Sequence, residues 1–304
     1  MRASLVSRYR ALVIAGPTAV GKSEFAVQAA LRANGEIVGA DAFQVYQGLE
    51  LLTAKPSLAQ QQAVRHHLIG EIPRSRSFDV AQYLDLAGQR MAEIRRRGKT
   101  PVIVGGTGLY VRALMRGLDD LPPANPAIRA ELETQPLEAL QQRLKELDPV
   151  AASRIDLKNP RRVIRALEVC LTSGKPFSSF GQEWNTAPTQ DCGVLLLRDR
   201  AELYARIEQR VEEMFRDGVI EEVERAGTEM SPTAEQTLGW REIRSLIAGE
   251  MTRDACIAAI QQSTRQYAKR QITWFRRETG LRTIEMAGGQ AMEEFDKLLA
   301  ESSD

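Results

Sequence analysis

Short apolar runs alternate with amphipathic stretches through the first third of the chain. Ala11-Leu12-Val13-Ile14-Ala15 ends in Gly16-Pro17 and predicts a fully buried strand. From Ser23 to Ala33 the residues Phe25, Ala26, Ala29, Ala30 and Ala33 mark one helical face, closed by Asn34-Gly35. Ile37-Val38-Gly39-Ala40 reads as a second strand, with Asp41 at its carboxyl end. Between Asp79 and Arg97, Val80, Tyr83, Leu84, Ala87, Met91 and Ile94 recur at helical spacing, and Gly98 stops that helix. Pro101-Val102-Ile103-Val104 is a third buried strand, running into Gly105-Gly106-Thr107-Gly108. This order predicts an α/β fold, a parallel sheet with flanking crossover helices. Ligands of such sheets sit at the carboxyl ends of the strands, where Gly16 to Ser23, Asp41 and Thr107 converge.

The texture changes after Gly117. Leu121-Pro122-Pro123-Ala124 reads as a linker, followed by three helix starts of one form, Asn125-Pro126, Asp148-Pro149 and Asn159-Pro160. In each, the Asn or Asp can cap the helix while proline fills the first turn, where its missing N–H costs nothing. Residues 120–188 are therefore expected to form a small all-helical insertion ending in the polar loop 181–190. It would divide a catalytic core made of 1–119 and 189–304. Gly193 to Leu197 resumes a buried strand. Helices are expected over Arg200–Asp217, Ile220–Ala226, Trp240–Ala248 and Thr252–Glu278. No internal repeat or low-complexity tract interrupts them.

Composition narrows the classes. With 304 residues, 43% hydrophobic and 27% charged, the chain is long and apolar enough for a sizeable core. Lysine plus arginine number 41 against 40 acids, so any nucleic-acid surface must come from locally clustered charge. Cys170, Cys192 and Cys256 are far apart, and the two histidines, His66 and His67, are adjacent, which argues against a disulfide scaffold or a Cys/His zinc site. No apolar run approaches the ~18 residues of a membrane span. Met1 to Arg10 is basic without an apolar signal core behind it. The expectation is a cytoplasmic protein with no membrane partner.

The strongest chemical signal is Gly16-Pro17-Thr18-Ala19-Val20-Gly21-Lys22-Ser23, a complete G-x-x-x-x-G-K-[ST] phosphate loop between a strand and a helix. Its glycines let amide N–H groups turn inward, Lys22 adds a point charge, and the Ser23 hydroxyl can hold Mg²⁺. The motif specifies phosphate, not ATP. A switch or motor NTPase would end a neighbouring strand in a Mg²⁺-binding acid, whereas Val102 to Val104 ends in Gly-Gly-Thr-Gly; that weakens a hydrolase reading. Asp41 is the one acid at a strand end beside the loop. General base is the favoured role, with a metal ligand or a turn cap as the plainer ones. Arg210 borders the apolar stripe Leu203, Ile207, Val211, Met214 and Phe215, and either pairs with a structural acid or reaches into the crevice.

Two cationic clusters remain. Lys158, Arg161, Arg162 and Arg165 crowd a helix start in the insertion. Arg265, Lys269 and Arg276 share a helical face, with Arg270 and Arg277 alongside and Trp274 and Phe275 interleaved. Each alone reads as a solvated face. Two in a chain of net charge +1 suggest a surface that grips a nucleic-acid backbone.

Taken jointly and in order, several segments resemble the bacterial tRNA dimethylallyltransferase family, also called tRNA isopentenyltransferases or IPP transferases. They are Gly16 to Ser23, Gly39 to Gly48, Thr53-Ala54-Lys55-Pro56, His66-His67-Leu68, Gly105 to Tyr110, Arg161 to Val169, Gly239-Trp240-Arg241-Glu242 and Lys269 to Arg276. The resemblance runs from residue 11 to about 277. It implies a P-loop core and transfer of a dimethylallyl group from dimethylallyl diphosphate to N6 of the adenosine 3′ of a tRNA anticodon. It also implies that the phosphate loop holds the donor's diphosphate. Asp41 would take the proton from N6, Thr107 would help hold the reacting groups, and Lys22, Arg210 and Mg²⁺ on Ser23 would stabilise the departing diphosphate. The tRNA-contacting segments would be Asp41-Ala42-Phe43-Gln44 with Thr107, Arg129, and Arg161-Arg162-Val163-Ile164-Arg165. Gln236-Thr237-Leu238-Gly239-Trp240-Arg241 and Lys269-Arg270-Gln271-Ile272-Thr273-Trp274-Phe275-Arg276 would complete them. A monomer is implied.

Two positions depart from the family's usual pattern. Ala42 stands where serine is usual, and Leu52 where glycine often precedes Thr53. Three other readings compete. A P-loop kinase of a nucleoside or small metabolite, or a prenyltransferase of free adenine nucleotide, would leave the cationic segments unexplained. A non-catalytic RNA-binding protein would leave Asp41 and Lys22 idle.

Overall fold

The computed structural model describes residues 4–118, 121–180, 193–287 and 289–301. The insertion boundaries expected at 119/120 and 188/189, and the polar loop expected over 181–190, lie outside the described residues. The described chain forms two compact units, one of residues 117–180 and one of residues 4–116 with 193–301.

In the larger unit six strands form one parallel sheet: β1 (Leu12–Ala15), β2 (Gly35–Gly39), β3 (His66–His67), β4 (Thr100–Gly105), β5 (Gly193–Leu197) and β6 (Arg282–Glu285). Their spatial order is β3-β2-β4-β1-β5-β6. Val13 stands opposite Ile103 on one side and Gly193 on the other, so β1 is central and apolar on both faces. The edge strands β3 and β6 carry no apolar run. Sequence periodicity did not reveal them because pairing with a neighbour, not burial of both faces, makes them strands.

The helix Lys22–Arg32 follows β1 and buries Phe25, Ala26, Val27, Ala29 and Ala30, close to the predicted face. Phe25 meets Phe295 edge to face with centroids 5.6 Å apart, joining that helix to Ala291–Glu301. Val80–Arg96 opens with a reciprocal capping box between Asp79 and Gln82, which satisfies two N-terminal amides. Ile14, Ile37, Val102, Val194, Leu196 and Leu203 anchor the shared core. Full burial of each such side chain is worth about 1.5–3 kcal/mol.

One glycine sets the geometry of the crevice. A Cβ on Gly105 would stand 2.0 Å from the Ala40 carbonyl oxygen. Only glycine therefore lets the end of β4 pass so close to the end of β2. The Thr107 amide then donates to Ala40 O at 3.3 Å, and the turn leads into the helix Gly108–Arg116.

The smaller unit is all-helical: Pro126–Glu133, Leu137–Leu147, Pro149–Arg154 and Pro160–Ser173, packed around Leu132, Leu140, Leu144, Val163 and Leu167. Three of these begin at the predicted prolines. Asn125 and Asp148 cap with their side chains, but Asn159 makes no side-chain cap. Asp148 also accepts from the Ser178 amide at 2.6 Å and its hydroxyl at 2.8 Å, closing the unit's last turn. No helix among the described residues is long and apolar enough to cross a membrane.

Candidate active site

β1 delivers the chain at Ala15 into the phosphate loop. Ala19 and Gly21 adopt left-handed φ of 63° and 106°, and no side chain caps the helix that starts at Lys22. Its first amides are left for an anion. Lys22 Nζ folds back to the Pro17 carbonyl at 2.8 Å. Burial pushes its ammonium down to about 8, with Asp41 opposing the shift and Arg210 adding to it.

Other elements brace the same loop. From the helix Arg200–Arg216, Arg210 donates to the Thr18 hydroxyl at 2.8 Å and Arg206 Nε to the Ala19 carbonyl at 2.9 Å. Arg198 Nε reaches the Val20 carbonyl at 3.3 Å. The Arg210 guanidinium is lowered by burial, Asp41 opposing and Arg206 adding, and its buried Nε has no partner. The structure thus takes Arg210 into the crevice rather than to an acid. From the helix Arg253–Phe275, Gln271 accepts from the Thr18 amide at 2.8 Å and donates to Gly106 O at 2.9 Å. It ties the phosphate loop to the Thr107 turn.

Asp41 sits at the end of β2. Its Oδ1 accepts the amides of Phe43 at 2.9 Å and Gln44 at 3.3 Å, while Oδ2 takes no hydrogen bond among the described residues. One oxygen of the carboxylate therefore caps the turn, while the other is left without a hydrogen bond among the described residues. The Ala42 amide donates to Thr107 Oγ1 at 2.9 Å, so the backbone at this position ties Asp41 to Thr107 without a serine hydroxyl.

Two cavities meet here. One of about 290 Å³ is lined by Lys22, Ser23, Asp41, Arg206 and Arg210, with Ile37, His66, Ile69 and Val104 on its walls. The other, about 50 Å³, is lined by Phe43, Leu52, Met214, Leu238, Ile260 and Tyr267. Thr18, Asp41, Thr53 and Arg210 line both. Burial raises the Tyr267 phenol, with the Asp41 charge adding to it, so Tyr267 stays neutral beside the carboxylate. Burial likewise lowers His66, leaving its imidazole neutral near pH 7. No cluster of three or more His, Cys, Asp or Glu suited to a metal occurs among the described residues.

The expected RNA-contacting residues separate by exposure. Arg161, Arg162, Arg241, Lys269, Arg270, Thr273 and Arg276 are exposed. Ile272 and Trp274 are partly buried, and Gln236 donates to its own turn at Pro232 O. Val163, Ile164, Thr237, Trp240, Gln271 and Phe275 are buried, so their side chains serve packing or loop support, and Gly239 is buried as well. Gln44 spends its amide on the carbonyls of Thr53 and Ala54. Arg129 and Arg165 both pair with Glu168 at 2.8 Å, whose side chain is 0% exposed. Arg265 pairs with Glu208 at 2.7 Å. At the second unusual position, Leu52 is buried against Gly239, and Glu222 accepts the amides of both Leu51 and Leu52 at 2.8 Å.

Sequence reading missed Arg206 and Tyr267. Arg206 lies one helical turn before Arg210, which is the signal that marks it as a neighbour of the loop. Tyr267 carries no such signal, because its place depends on how its helix packs.

A model of the IPP transferase family matches residues 44–278, beginning just after Asp41. The phosphate loop is spanned by full-length relatives instead. A tRNA dimethylallyltransferase of Geobacter metallireducens is 41% identical over 300 residues, covering 96% of both chains. One of Akkermansia muciniphila is 42% identical over 273 residues, 90% of this chain and 92% of that one. Among solved structures, the tRNA isopentenylpyrophosphate transferase of Bacillus halodurans shares 35% identity over 96% of both chains, with a TM-score of 0.70. A eukaryotic dimethylallyltransferase acting on tRNA has a TM-score of 0.79 at 25% identity, covering 97% of this chain and 78% of that one. With a parallel-sheet P-loop core and relatives matched along almost its whole length, the chain belongs to the IPP transferase family.

Proposed function

We infer that the chain is an enzyme that moves the dimethylallyl group of dimethylallyl diphosphate onto N6 of the adenosine 3′ of a tRNA anticodon and releases diphosphate. The observation that carries this reading is the free Oδ2 of Asp41 where the cationic cavity meets the smaller one. In the reaction the N6 lone pair forms a bond to the allylic carbon, and the bond from that carbon to the diphosphate oxygen breaks with its electrons leaving on oxygen. The proton of N6 goes to Asp41. An exocyclic adenine amine is a poor nucleophile until its proton has an acceptor, and Asp41 supplies one. Lys22 and Arg210 stand where the leaving charge appears, and fixed cations there stabilise the transition state. Thr107 holds the Asp41 turn through the Ala42 amide.

Mg²⁺ fits the donor set: the Ser23 hydroxyl lines the cavity, and a hard cation is commonly held by one or two protein oxygens with phosphate oxygens and water. Bound there, it would neutralise charge on the diphosphate. The target adenosine must leave its stack to reach Asp41, since N6 is otherwise shielded. The exposed Arg161, Arg162, Lys269, Arg270 and Arg276 supply backbone-binding charge. A monomer is proposed, and sedimentation at working concentration tests it.

Transfer from labelled dimethylallyl diphosphate to unmodified tRNA, with AMP in a parallel reaction, tests the assignment. Label on tRNA adenosine supports it, and label on AMP alone moves the acceptor to free nucleotide. Asp41→Asn should lower kcat by about 10²–10⁴ while tRNA affinity stays within twofold, a general base being worth that much. A wild-type rate would remove Asp41 from the proton transfer.

A further inference from the structure

Building on the proposed reaction, we propose that Arg206 is a third cation of the diphosphate site, held against the phosphate loop where it lines the larger cavity with Lys22 and Arg210. Arg206 Nε is pinned to the Ala19 carbonyl of the phosphate loop at 2.9 Å, and no acid pairs with the guanidinium among the described residues. Its terminal nitrogens are therefore left as donors beside the same cavity that Lys22, Ser23 and Arg210 line. A guanidinium fixed through one N–H presents the rest of its planar fork with little further loss of rotamer freedom, and such a fork can donate to two oxygens of one phosphate.

Arg198 offers a contrast within the same loop. It too donates to a loop carbonyl, that of Val20, but its guanidinium is also paired with Glu202, and it does not line the cavity. It clasps the loop and has its charge compensated. Arg206 clasps the loop and does not.

Electrostatics point the same way. Arg206 and Arg210 stand one turn apart on one helix, and the nearby Arg206 charge disfavours the charged form of Arg210. Asp41 acts on Arg210 in the opposite sense, and a bound polyanion would relieve the repulsion between the two arginines. Two arginines and one lysine line the one cavity.

The test uses the full chain, with inorganic diphosphate as probe in titration calorimetry and donor kinetics with tRNA alongside. Arg206→Ala should weaken diphosphate binding by about tenfold and lower kcat/KM for the donor by at least as much, the scale of one charge-assisted hydrogen-bond pair. Arg206→Gln separates charge from bracing, because a glutamine amide can still donate to Ala19 O but carries no charge. It should behave like the alanine variant, and Arg206→Lys should recover part of the affinity. Wild-type diphosphate affinity in Arg206→Gln would overturn the proposal, as would a loss confined to the KM for tRNA. Should the unaltered enzyme bind diphosphate through Arg206 yet prenylate no tRNA, the transfer reading fails and this inference stands.

Discussion

Around the phosphate loop, Arg206 and Arg210 rest on neutral oxygens, the Ala19 carbonyl and the Thr18 hydroxyl. In the smaller unit Arg129 and Arg165 rest on a carboxylate, Glu168, which is wholly buried and also accepts the Asn125 amide at 2.7 Å. Burial works to raise the Glu168 carboxyl, and the hydrogen bonds from Arg165, Asn125 and Arg129 more than reverse it. The residue type is the same in both places, but the partner differs. An arginine on a neutral oxygen keeps its charge available for an anion that arrives later, while one on a buried carboxylate has already spent it on the fold. Arginine clusters in sequence do not distinguish these cases.

The sharpest way to break this contrast is to remove one arginine from each region. Arg210→Ala should cut kcat by about 10²–10³, the usual cost of losing one fixed charge-stabilising donor, with little change in melting temperature. Arg165→Ala should leave the kcat of folded enzyme near wild type. Single-turnover rates at saturating donor and tRNA, beside thermal melts, read both. The contrast collapses when the two variants lose the same property.

Next in size is the carboxylate itself. Glu168→Gln leaves two arginines without their acid and should destabilise the smaller unit by about 2 kcal/mol, less than a fully buried pair would lose because both arginines reach solvent. Its folded carboxyl lies below its unfolded value, so its stabilisation is full at neutral pH and fades as pH falls through the acid range. Glu36 follows the same sign: burial works to raise it, but hydrogen bonds from Arg97 and His67 carry it down to about 2, so its contribution fades between about 4.5 and about 2. Denaturant melts at pH 7 and at acid pH should show the Glu168→Gln penalty shrinking on acidification.

What the sequence made legible follows the range of each interaction. The core strands, the phosphate loop and the proline-started helices rest on contiguous residues, and they stand where the pattern put them. Asp41 was legible because a strand end fixes its position. The division of its two oxygens was not, since that depends on a turn closed by Thr107 from another strand. Gln271 was expected as an RNA contact because it lies in a segment that resembles the family's tRNA-contacting one; it is buried and links two loops lying far from it in sequence. Arg165 and Arg265 read as free charge because Glu168 and Glu208 could not be aimed at them from spacing alone. Leu52 stood out only as a departure from the family's glycine, whereas the structure shows Glu222 holding the backbone there.

That sorting yields a smaller prediction about RNA. Arg161 and Arg162 are exposed and unpaired among the described residues, while Arg165 on the same helix is bound to Glu168. Arg161→Glu should weaken tRNA binding by about tenfold and reduce the slope of log affinity against log salt by about 1, as expected for a phosphate-contacting cation. Filter binding across a salt series separates this from Arg165→Ala, whose slope should be unchanged. Equal slopes for Arg161→Glu and the wild type would return Arg161 to a solvated face.

The smallest effect lies within the loop. The Lys22 ammonium, down at about 8, is charged below that pH and neutral above it, so its pull on diphosphate should fade as pH rises from 7 to 9. The loss should be at most about tenfold, since one pH unit above a pKa leaves about a tenth of the groups protonated. Diphosphate also titrates in this range, which makes the wild-type curve alone ambiguous. Lys22→Arg resolves it, because a guanidinium stays charged throughout. Inorganic diphosphate affinity should fall more steeply with pH in the wild type than in Lys22→Arg, and the difference belongs to Lys22. Parallel curves would assign the whole trend to the ligand and place the Lys22 titration outside the range of catalysis.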